Sequence, residues 1–278
     1  MIRKRAMRAL AYLTLLAIFI IGITPFVIIV ILSTKSRIEI LQVPPTLDFD
    51  WTQIQENYSN VLFERGFVGF IWNSIVVTAS SVLISLVIAT PAAYAFSRMR
   101  FRGRDSWASY ILSFRFMPPI AVAVPILLML RQFDLENTIP GLVLPYIAFS
   151  LPLAVWILIG FFDEIPRDLD DAAMVDGAGR FTVLIRVMVP LVRPGLIVAG
   201  IFGAIFIWNE LLVGSYLIQS QDLKTIPLGA GGLISAQRPI DWNVAATVGV
   251  VTIIPIFIFS LFTQRYIARG ITAGAVRG

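Results

Sequence analysis

The sequence predicts an all-α, polytopic membrane protein with six transmembrane helices. Of its 278 residues, 58% are hydrophobic and only 14% are charged, whereas soluble domains carry about 25% charged residues. Six apolar segments each approach the roughly 20 residues that a helix needs to cross a bilayer. Basic residues gather in alternate connecting segments, which is typical of membrane proteins.

The predicted spans are distributed over the whole chain and form a single transmembrane domain, residues 1–278. They are Ala9–Leu32, Phe70–Phe96, Trp107–Leu130, Ile139–Phe162, Leu196–Ile218 and Val244–Phe262. Prolines lie in or near several spans, which membrane helices tolerate because neighbouring groups satisfy the freed backbone atoms. The first apolar run could instead be a signal peptide. It is longer than a typical signal-peptide core and no small-residue cleavage site follows it, so we interpret it as an uncleaved span.

The basic residues predict that both termini lie in the cytoplasm. In this orientation the cytoplasmic segments hold 15 arginines and lysines and the outer segments hold six, while Arg115 lies inside the third span. This asymmetry follows the positive-inside rule. The net charge of +5 is therefore explained by topology, and no nucleic-acid partner is expected.

Several kinds of chemistry are excluded by composition. The chain has no cysteine and no histidine, which removes disulfides, thiolate metal sites and Ser–His or Cys–His catalysis. Its three lysines are Lys4, Lys35 and Lys224, and none follows a glycine. A Walker A phosphate-binding loop is thus absent from the sequence. We expect neither an enzyme nor a cofactor bound by this chain.

The predicted cytoplasmic loop, residues 163–195, carries the most specific local signals. Pro166 suits the first turn of a helix, and acidic residues crowd that end. Gly177 stands where a left-handed C-terminal stop is expected. We therefore predict a short helix near Pro166–Asp176 whose face of Leu169, Ala172, Ala173 and Asp176 lets a partner approach closely. A second helix is predicted near Arg180–Val189, with an apolar stripe of Phe181, Leu184, Ile185 and Met188.

Taken alone, this amphipathic loop could equally pack on its own bundle. Its order of residues, however, resembles the signature of binding-protein-dependent ABC importer permeases: Glu-Ala-Ala, three residues, Gly, nine residues, then Ile-x-Leu-Pro. The spacing agrees throughout, with conservative departures at Asp171, Val187 and Val189. Other segments are similar to the maltose-type branch and its smaller permease subunit, namely Ala92–Arg98 with Phe101–Arg104, Trp208–Glu210 and the ending Gly270–Gly278.

The resemblance implies the type I ABC importer permease fold and a set of partners. These are a second homologous permease, two ATPase subunits that use ATP and Mg, an extracytoplasmic solute-binding protein and the lipid of a bacterial or archaeal inner membrane. The solute expected for this branch is a sugar or a sugar-like molecule.

The resemblance also implies roles for individual residues. The first loop helix would be the coupling helix that docks on the ATPase, with Asp171, Ala172, Ala173, Asp176, Gly177 and Pro190. The tail would enter between the ATPase subunits through Thr272, Gly274 and Val276. The outer loop 219–243 would reach the solute-binding protein through Gly229, Gly231 and Gly232, where the glycines permit an irregular close approach.

Polar residues inside the spans are candidates for the solute path, because charged groups in lipid are costly. The candidates are Asn209, Glu210, Arg115 and Asn73. Each could instead hold helices together or extend to the membrane surface.

Three alternatives remain at this point. A secondary transporter would carry paired ionisable residues near the membrane midplane, and it would leave the loop signature unexplained. A permease of the same class could carry a polyol, a glycerol phosphate or another small solute. A membrane enzyme is the least favoured, since no nucleophile–base pair or metal cluster is visible in the sequence.

Overall fold

The computed structural model describes residues 2–42, 49–233 and 241–275, and the regular structure of these residues is helical. The helices are α1 (Ile2–Ser33), α2 (Arg37–Ile40), α3 (Trp51–Ser59), α4 (Phe67–Arg98), α5 (Arg104–Ser113), α6 (Pro119–Gln132), α7 (Ile139–Asp163), α8 (Asp168–Val175), α9 (Arg180–Thr182), α10 (Val189–Leu191), α11 (Arg193–Trp208), α12 (Leu212–Leu217), α13 (Ile226–Gly231) and α14 (Trp242–Ala275). An all-α fold is therefore confirmed for the described residues.

Among the described residues, three helices are long and apolar enough to cross a membrane unaided. Their apolar parts are Met7–Ser33 in α1, Phe67–Arg98 in α4 and Ile139–Asp163 in α7. They confirm the first, second and fourth predicted spans as helices. The sixth predicted span lies within α14, where Trp242–Ile258 forms a shorter apolar stretch.

The third predicted span is a broken helix, so the expectation of one continuous helix is wrong there. Arg104–Phe116 and Pro119–Gln132 meet at 93°. The break falls at Pro118 and Pro119, and the backbone is extended at Met117 (ψ 125°) and at Pro118 (ψ 123°). A residue that precedes proline is pushed out of the helical region, and proline lacks the N–H that continues a helix.

The fifth predicted span, Leu196–Ile218, is also interrupted. Helix α11 ends at Trp208 and the short helix α12 begins at Leu212. On its other side, α11 meets the preceding helical segment Arg180–Leu191 at 76°. Hydropathy does not register such breaks, because the residues that cause them are few and their neighbours remain apolar.

The chain divides into two compact units, of which the first comprises Met1–Val68 and Gly232–Pro255. The buried Asn57 of α3 stabilises the end of α1 through two hydrogen bonds. Its Nδ2 donates to the carbonyls of Ser33 (3.0 Å) and Lys35 (2.9 Å). Thr247 of α14 donates from Oγ1 to the same Ser33 carbonyl at 3.4 Å. Along most of α1 the apolar side chains are exposed, as expected of a helix that faces lipid or another chain.

The second unit comprises Gly69–Gly231 and Ile256–Gly278 and contains two apolar clusters. One cluster joins the C-terminal half of α4, α7 and the segment Val183–Met188. The other joins α6, the first half of α7 and α12. Helix α11 approaches α7 closely at Gly195, where a Cβ would lie 2.5 Å from Phe161 Cγ, so a larger residue would force the two helices apart.

Candidate functional site

Helix α8 in the loop between α7 and α11 ends as the sequence predicts. Gly177 has φ +86°. Its N–H donates to the Met174 carbonyl at 3.0 Å, and the Ala178 N–H donates to the Ala173 carbonyl at 3.0 Å. These two bonds and the left-handed glycine form a Schellman motif. The left-handed stop at Gly177 is thus confirmed, while α8 itself is shorter than the predicted Pro166–Asp176.

One face of α8 is open to solvent. Asp171, Ala172 and Asp176 are exposed, and Leu169 and Val175 are 43% and 87% exposed. Ala173 is turned partly inward and packs against the apolar cluster of α4 and α7. Four predicted coupling residues therefore lie on one accessible surface, namely Asp171, Ala172, Asp176 and Gly177, and Pro190 is exposed further along the chain in α10.

The second predicted loop helix differs from a regular α-helix. It starts as α9, passes through π-helical Val183–Met188 and ends as α10. A π-helix accommodates an extra residue per turn and shifts which side chains face inward. Leu184 and Met188 of the predicted stripe are buried, but Phe181 and Ile185 are 75% and 49% exposed, so the stripe prediction is only half correct.

The inner face of α8 is held by a buried ion pair that the sequence did not reveal. Asp170 is 5% exposed, and its Oδ2 lies 2.9 Å from Arg98 Nε. Tyr94 donates from its hydroxyl to Asp170 Oδ1 at 2.8 Å. Both partners belong to the last turns of α4, so α8 is anchored to the end of a long apolar helix.

Further bonds surround this anchor. Arg98 Nη2 donates to the Ile165 carbonyl at 2.8 Å, and Arg167 Nη2 donates to the Ser97 carbonyl at 3.2 Å. Ser97 Oγ donates to Asp163 Oδ1 at 2.5 Å. The end of α4 thus holds the loop on both sides of the α8 N-terminus.

Among the candidates for the solute path, Glu210 organises the break between α11 and α12. It is 7% exposed and accepts hydrogen bonds from the Tyr146 hydroxyl (2.5 Å) and from the N–H groups of Val213 (2.8 Å) and Gly214 (3.1 Å). A Cβ at Gly214 would lie 2.9 Å from the Tyr146 hydroxyl oxygen. The carboxylate satisfies the first amides of α12, a position that favours an acid.

The side chain of Asn73 likewise makes hydrogen bonds within the fold. Its Nδ2 donates to the carbonyls of Asp222 (2.7 Å) and Lys224 (3.0 Å). Asn137, which sequence analysis did not single out, accepts with Oδ1 from the N–H groups of Gln219 and Ser220, both at 2.9 Å. These two asparagines fix the segment after α12 to the start of α4 and to the turn before α7.

The other two candidates retain accessible surface at the C-terminal end of α11. The guanidinium of the half-buried Arg115 lies over the Phe206 ring, 4.2 Å from its centroid. Asn209 is exposed and donates from Nδ2 to the Ile205 carbonyl at 2.8 Å. Since Phe206 and Asn209 are one turn apart, Arg115 and Asn209 reach the same end of α11.

The residues predicted to contact the binding protein and the ATPase subunits lie in or near α13 and α14, and their contacts with those partners stay predictions. Gly229 and Gly231 lie in helix α13, so the expectation of an irregular loop at these two glycines is wrong. Gly229 is buried against Phe70, where a Cβ would be 2.3 Å from the ring, and packing explains its lack of a side chain. Gly232 is exposed in a turn. In the tail, Thr272 and Gly274 lie within α14, and Val276 lies outside the described residues.

Comparisons with known proteins identify the family of this chain. Residues 81–273 match the family described as "Binding-protein-dependent transport system inner membrane component". The diacetylchitobiose uptake system permease of Streptomyces coelicolor is 32% identical over 98% of this chain and 90% of its own. The trehalose/maltose transport system permease of Thermococcus litoralis is 31% identical over 93% of each chain.

A solved structure supports the fold. A chain of a bacterial ABC transporter involved in the import of the acidic polysaccharide alginate superposes with a TM-score of 0.79. It is 24% identical and is matched over 95% of this chain and 98% of its own. The architecture is therefore that of an ABC importer permease. The chain belongs to the family of binding-protein-dependent transport system inner membrane components, the permease subunits of ABC transporters.

Proposed function

We propose that this chain forms one half of the translocation pore of an ATP-driven importer for a sugar or a sugar-like solute. The main support for this proposal is that the chain is similar, over more than nine-tenths of its length, to permeases named for diacetylchitobiose and for trehalose and maltose. A second homologous permease supplies the other half of the pore. A solute-binding protein outside the cytoplasmic membrane delivers the solute.

In this proposal, α8 is the coupling helix. Its exposed surface of Asp171, Ala172 and Asp176 docks on one of two ATPase subunits, which bind ATP and Mg. When ATP draws the ATPase subunits together, α8 moves with its ATPase partner and pulls α4 through the pair Asp170–Arg98. The pore switches between its two orientations only because ATP binds one orientation better than the other.

The remaining assignments follow from the same arrangement. Both termini lie in the cytoplasm, as the arginine distribution indicates, and the end of α14 with Thr272 and Gly274 extends toward the ATPase subunits. Arg115 and Asn209 are the path residues with accessible polar groups, while Glu210 and Asn73 serve the fold. Gly232 is the remaining glycine available for the binding protein.

Transport by the assembled complex in proteoliposomes tests the proposal. Solute uptake should require ATP hydrolysis and should survive ionophores that collapse ion gradients. A variant of the ATPase subunit without its catalytic acid is the matched control and should abolish uptake. Uptake that stops with the ionophore and continues without hydrolysis would instead identify an ion-coupled transporter.

The solute class needs a second measurement. Calorimetric titration of the purified binding protein with a panel of sugars, polyols and glycerol phosphates should give tight binding to a sugar. If the binding protein bound only a polyol or a glycerol phosphate, the chain would still belong to an ATP-driven importer, but its solute would not be a sugar.

A further inference from the structure

An arginine cluster at the C-terminus of α4 has charges that the proposed transport function does not use. It comprises Arg98, Arg100, Arg102 and Arg104. Arg98 is committed to Asp170, and Arg104 Nε lies 3.0 Å from Asp105 Oδ1. Arg100 and Arg102 are exposed, and in the part of the chain that the structure describes neither has an acidic partner.

These arginines share one cleft. Arg100, Arg102 and Arg104 line an open space of about 510 Å³, together with Phe101, Gly103, Asp105 and Ser106. The guanidinium group is planar and always charged, and its fork of N–H donors matches the oxygens of a phosphate. The volume falls within the range of small-molecule sites, which is enough space for a phosphate with its glycerol unit.

An aromatic band adjoins the cleft. Trp107 and Tyr110, on the first turns of α5, are both 55% exposed. Their rings meet edge to face at 5.9 Å, and Tyr110 meets Phe114 in the same way at 5.1 Å. Tryptophan and tyrosine are enriched where protein crosses from lipid to water. The apolar helix α4 ends at Arg98, immediately before the cleft, and the end of a spanning helix is expected at the membrane surface.

We propose that Arg100 and Arg102 bind the phosphate of an anionic phospholipid headgroup, with Trp107 and Tyr110 beside it at the membrane interface. Arg100 and Arg102 form no ion pair among the described residues, and their positive charges favour an anionic lipid over a zwitterionic one. A soluble phosphate would gain nothing from the aromatic band. The bound lipid fixes the end of α4, and thereby the Asp170–Arg98 anchor, to the membrane surface. This inference is independent of the transported solute.

Fluorescence quenching of Trp107 tests the site in the assembled transporter. The complex is placed in phosphatidylcholine nanodiscs that contain either brominated phosphatidylglycerol or brominated phosphatidylcholine. The fluorescence of Trp107 is obtained by subtracting the tryptophan fluorescence of Trp107→Phe from that of the unmodified protein. Brominated phosphatidylglycerol should quench Trp107 at a roughly tenfold lower mole fraction than brominated phosphatidylcholine. In Arg100→Gln/Arg102→Gln the two lipids should become equivalent within about twofold.

The matched control removes two other arginines. Arg8→Gln/Arg186→Gln lowers the charge equally at exposed positions and should keep the preference for phosphatidylglycerol. Equal quenching by both lipids in the unmodified protein overturns the proposal, and so does the same loss of preference in the control. Millimolar glycerol 3-phosphate should leave the quenching unchanged. Its relief by this compound would show that the cleft takes a soluble phosphate and would also overturn the lipid assignment.

Discussion

At the scale of single residues, neighbouring acids in the same helix have opposite roles. Asp170 is buried in an ion pair with Arg98, whereas the adjacent Asp171 is exposed. Successive positions in a helix point about 100° apart, so only one of the two can face α4. The family signature draws attention to Asp171, and the structure adds Asp170 as the residue that positions the helix.

This difference predicts unequal costs for Asp170→Asn and Asp171→Asn. Removing one partner of a buried ion pair strands the other charge and costs about 3 kcal/mol or more. A surface substitution such as Asp171→Asn stays within about 0.5 kcal/mol. We expect a clearly lower thermal unfolding midpoint for Asp170→Asn in the purified complex. The double variant Arg98→Gln/Asp170→Asn should cost less than the sum of its parts, and equal midpoints for the two single variants would refute the anchor.

At the scale of elements, special residues set where the helices end. The pair Pro118–Pro119 bends the third span, Glu210 starts α12 after the break in the fifth, and Gly177 stops α8. Each of these residues acts through the backbone. Proline lacks the N–H that a helical hydrogen bond needs, and the Glu210 carboxylate accepts hydrogen bonds from N–H groups that the start of a helix leaves without a partner. Glycine adopts the left-handed conformation that ends α8. The orientation of α8 relative to α9 therefore depends on one residue.

Two glycines in the turn after α8, Gly177 and Gly179, differ in backbone conformation. A Cβ at Gly177 or at Gly179 would meet no atom within 4 Å, but only Gly177 has a positive φ, +86°. Gly177→Ala should therefore strain the turn by about 1 kcal/mol and shift the end of α8. We expect reduced solute-stimulated ATP hydrolysis with intact membrane insertion, and a stronger loss for Gly177→Asp. Gly179→Ala is the control, and it should hydrolyse ATP normally; an equal effect of both alanines would exclude the conformational explanation.

At the scale of the whole molecule, the two units carry different surfaces. In the first unit α1 leaves most of its apolar length exposed, which requires lipid or another subunit to cover it. In the second unit the exposed face of α8 is mixed, with acids beside Leu169 and Val175. The proposed function needs both kinds of surface, one for the membrane and one for the ATPase subunits.

The absence of native cysteine makes the orientation directly measurable. We expect Ala172→Cys to react with a membrane-impermeant maleimide only in inside-out vesicles, and to be protected when the ATPase subunits are bound. Gln221→Cys, also at an exposed position, is the control and should react only in right-side-out vesicles. The opposite pattern would invert the proposed topology, and labelling of Ala172→Cys unaffected by the ATPase would contradict docking through α8.

Much of this protein follows from the sequence alone. The helical membrane fold, the positions of the spans and the stop at Gly177 rest on hydropathy, charge asymmetry and local backbone preference, which act over a few neighbouring residues. The order Asp171-Ala172-Ala173, Gly177 and Pro190 indicated the family together with three further segments, Ala92–Arg104, Trp208–Glu210 and Gly270–Gly278, because each is a local pattern of residues at fixed spacing.

The tertiary structure decided which polar residues serve the fold. Asp170 contacts Arg98, which lies 72 positions away in the chain, and Tyr146 contacts Glu210, which lies 64 positions away. A local sequence pattern does not show which distant residues are in contact. The break at Glu210 depends on its contact with Tyr146, and the burial of Gly229 depends on a separate distant contact with Phe70. Hydropathy measures the preference of a segment for lipid, whereas the partner of a buried charge is set by packing between helices.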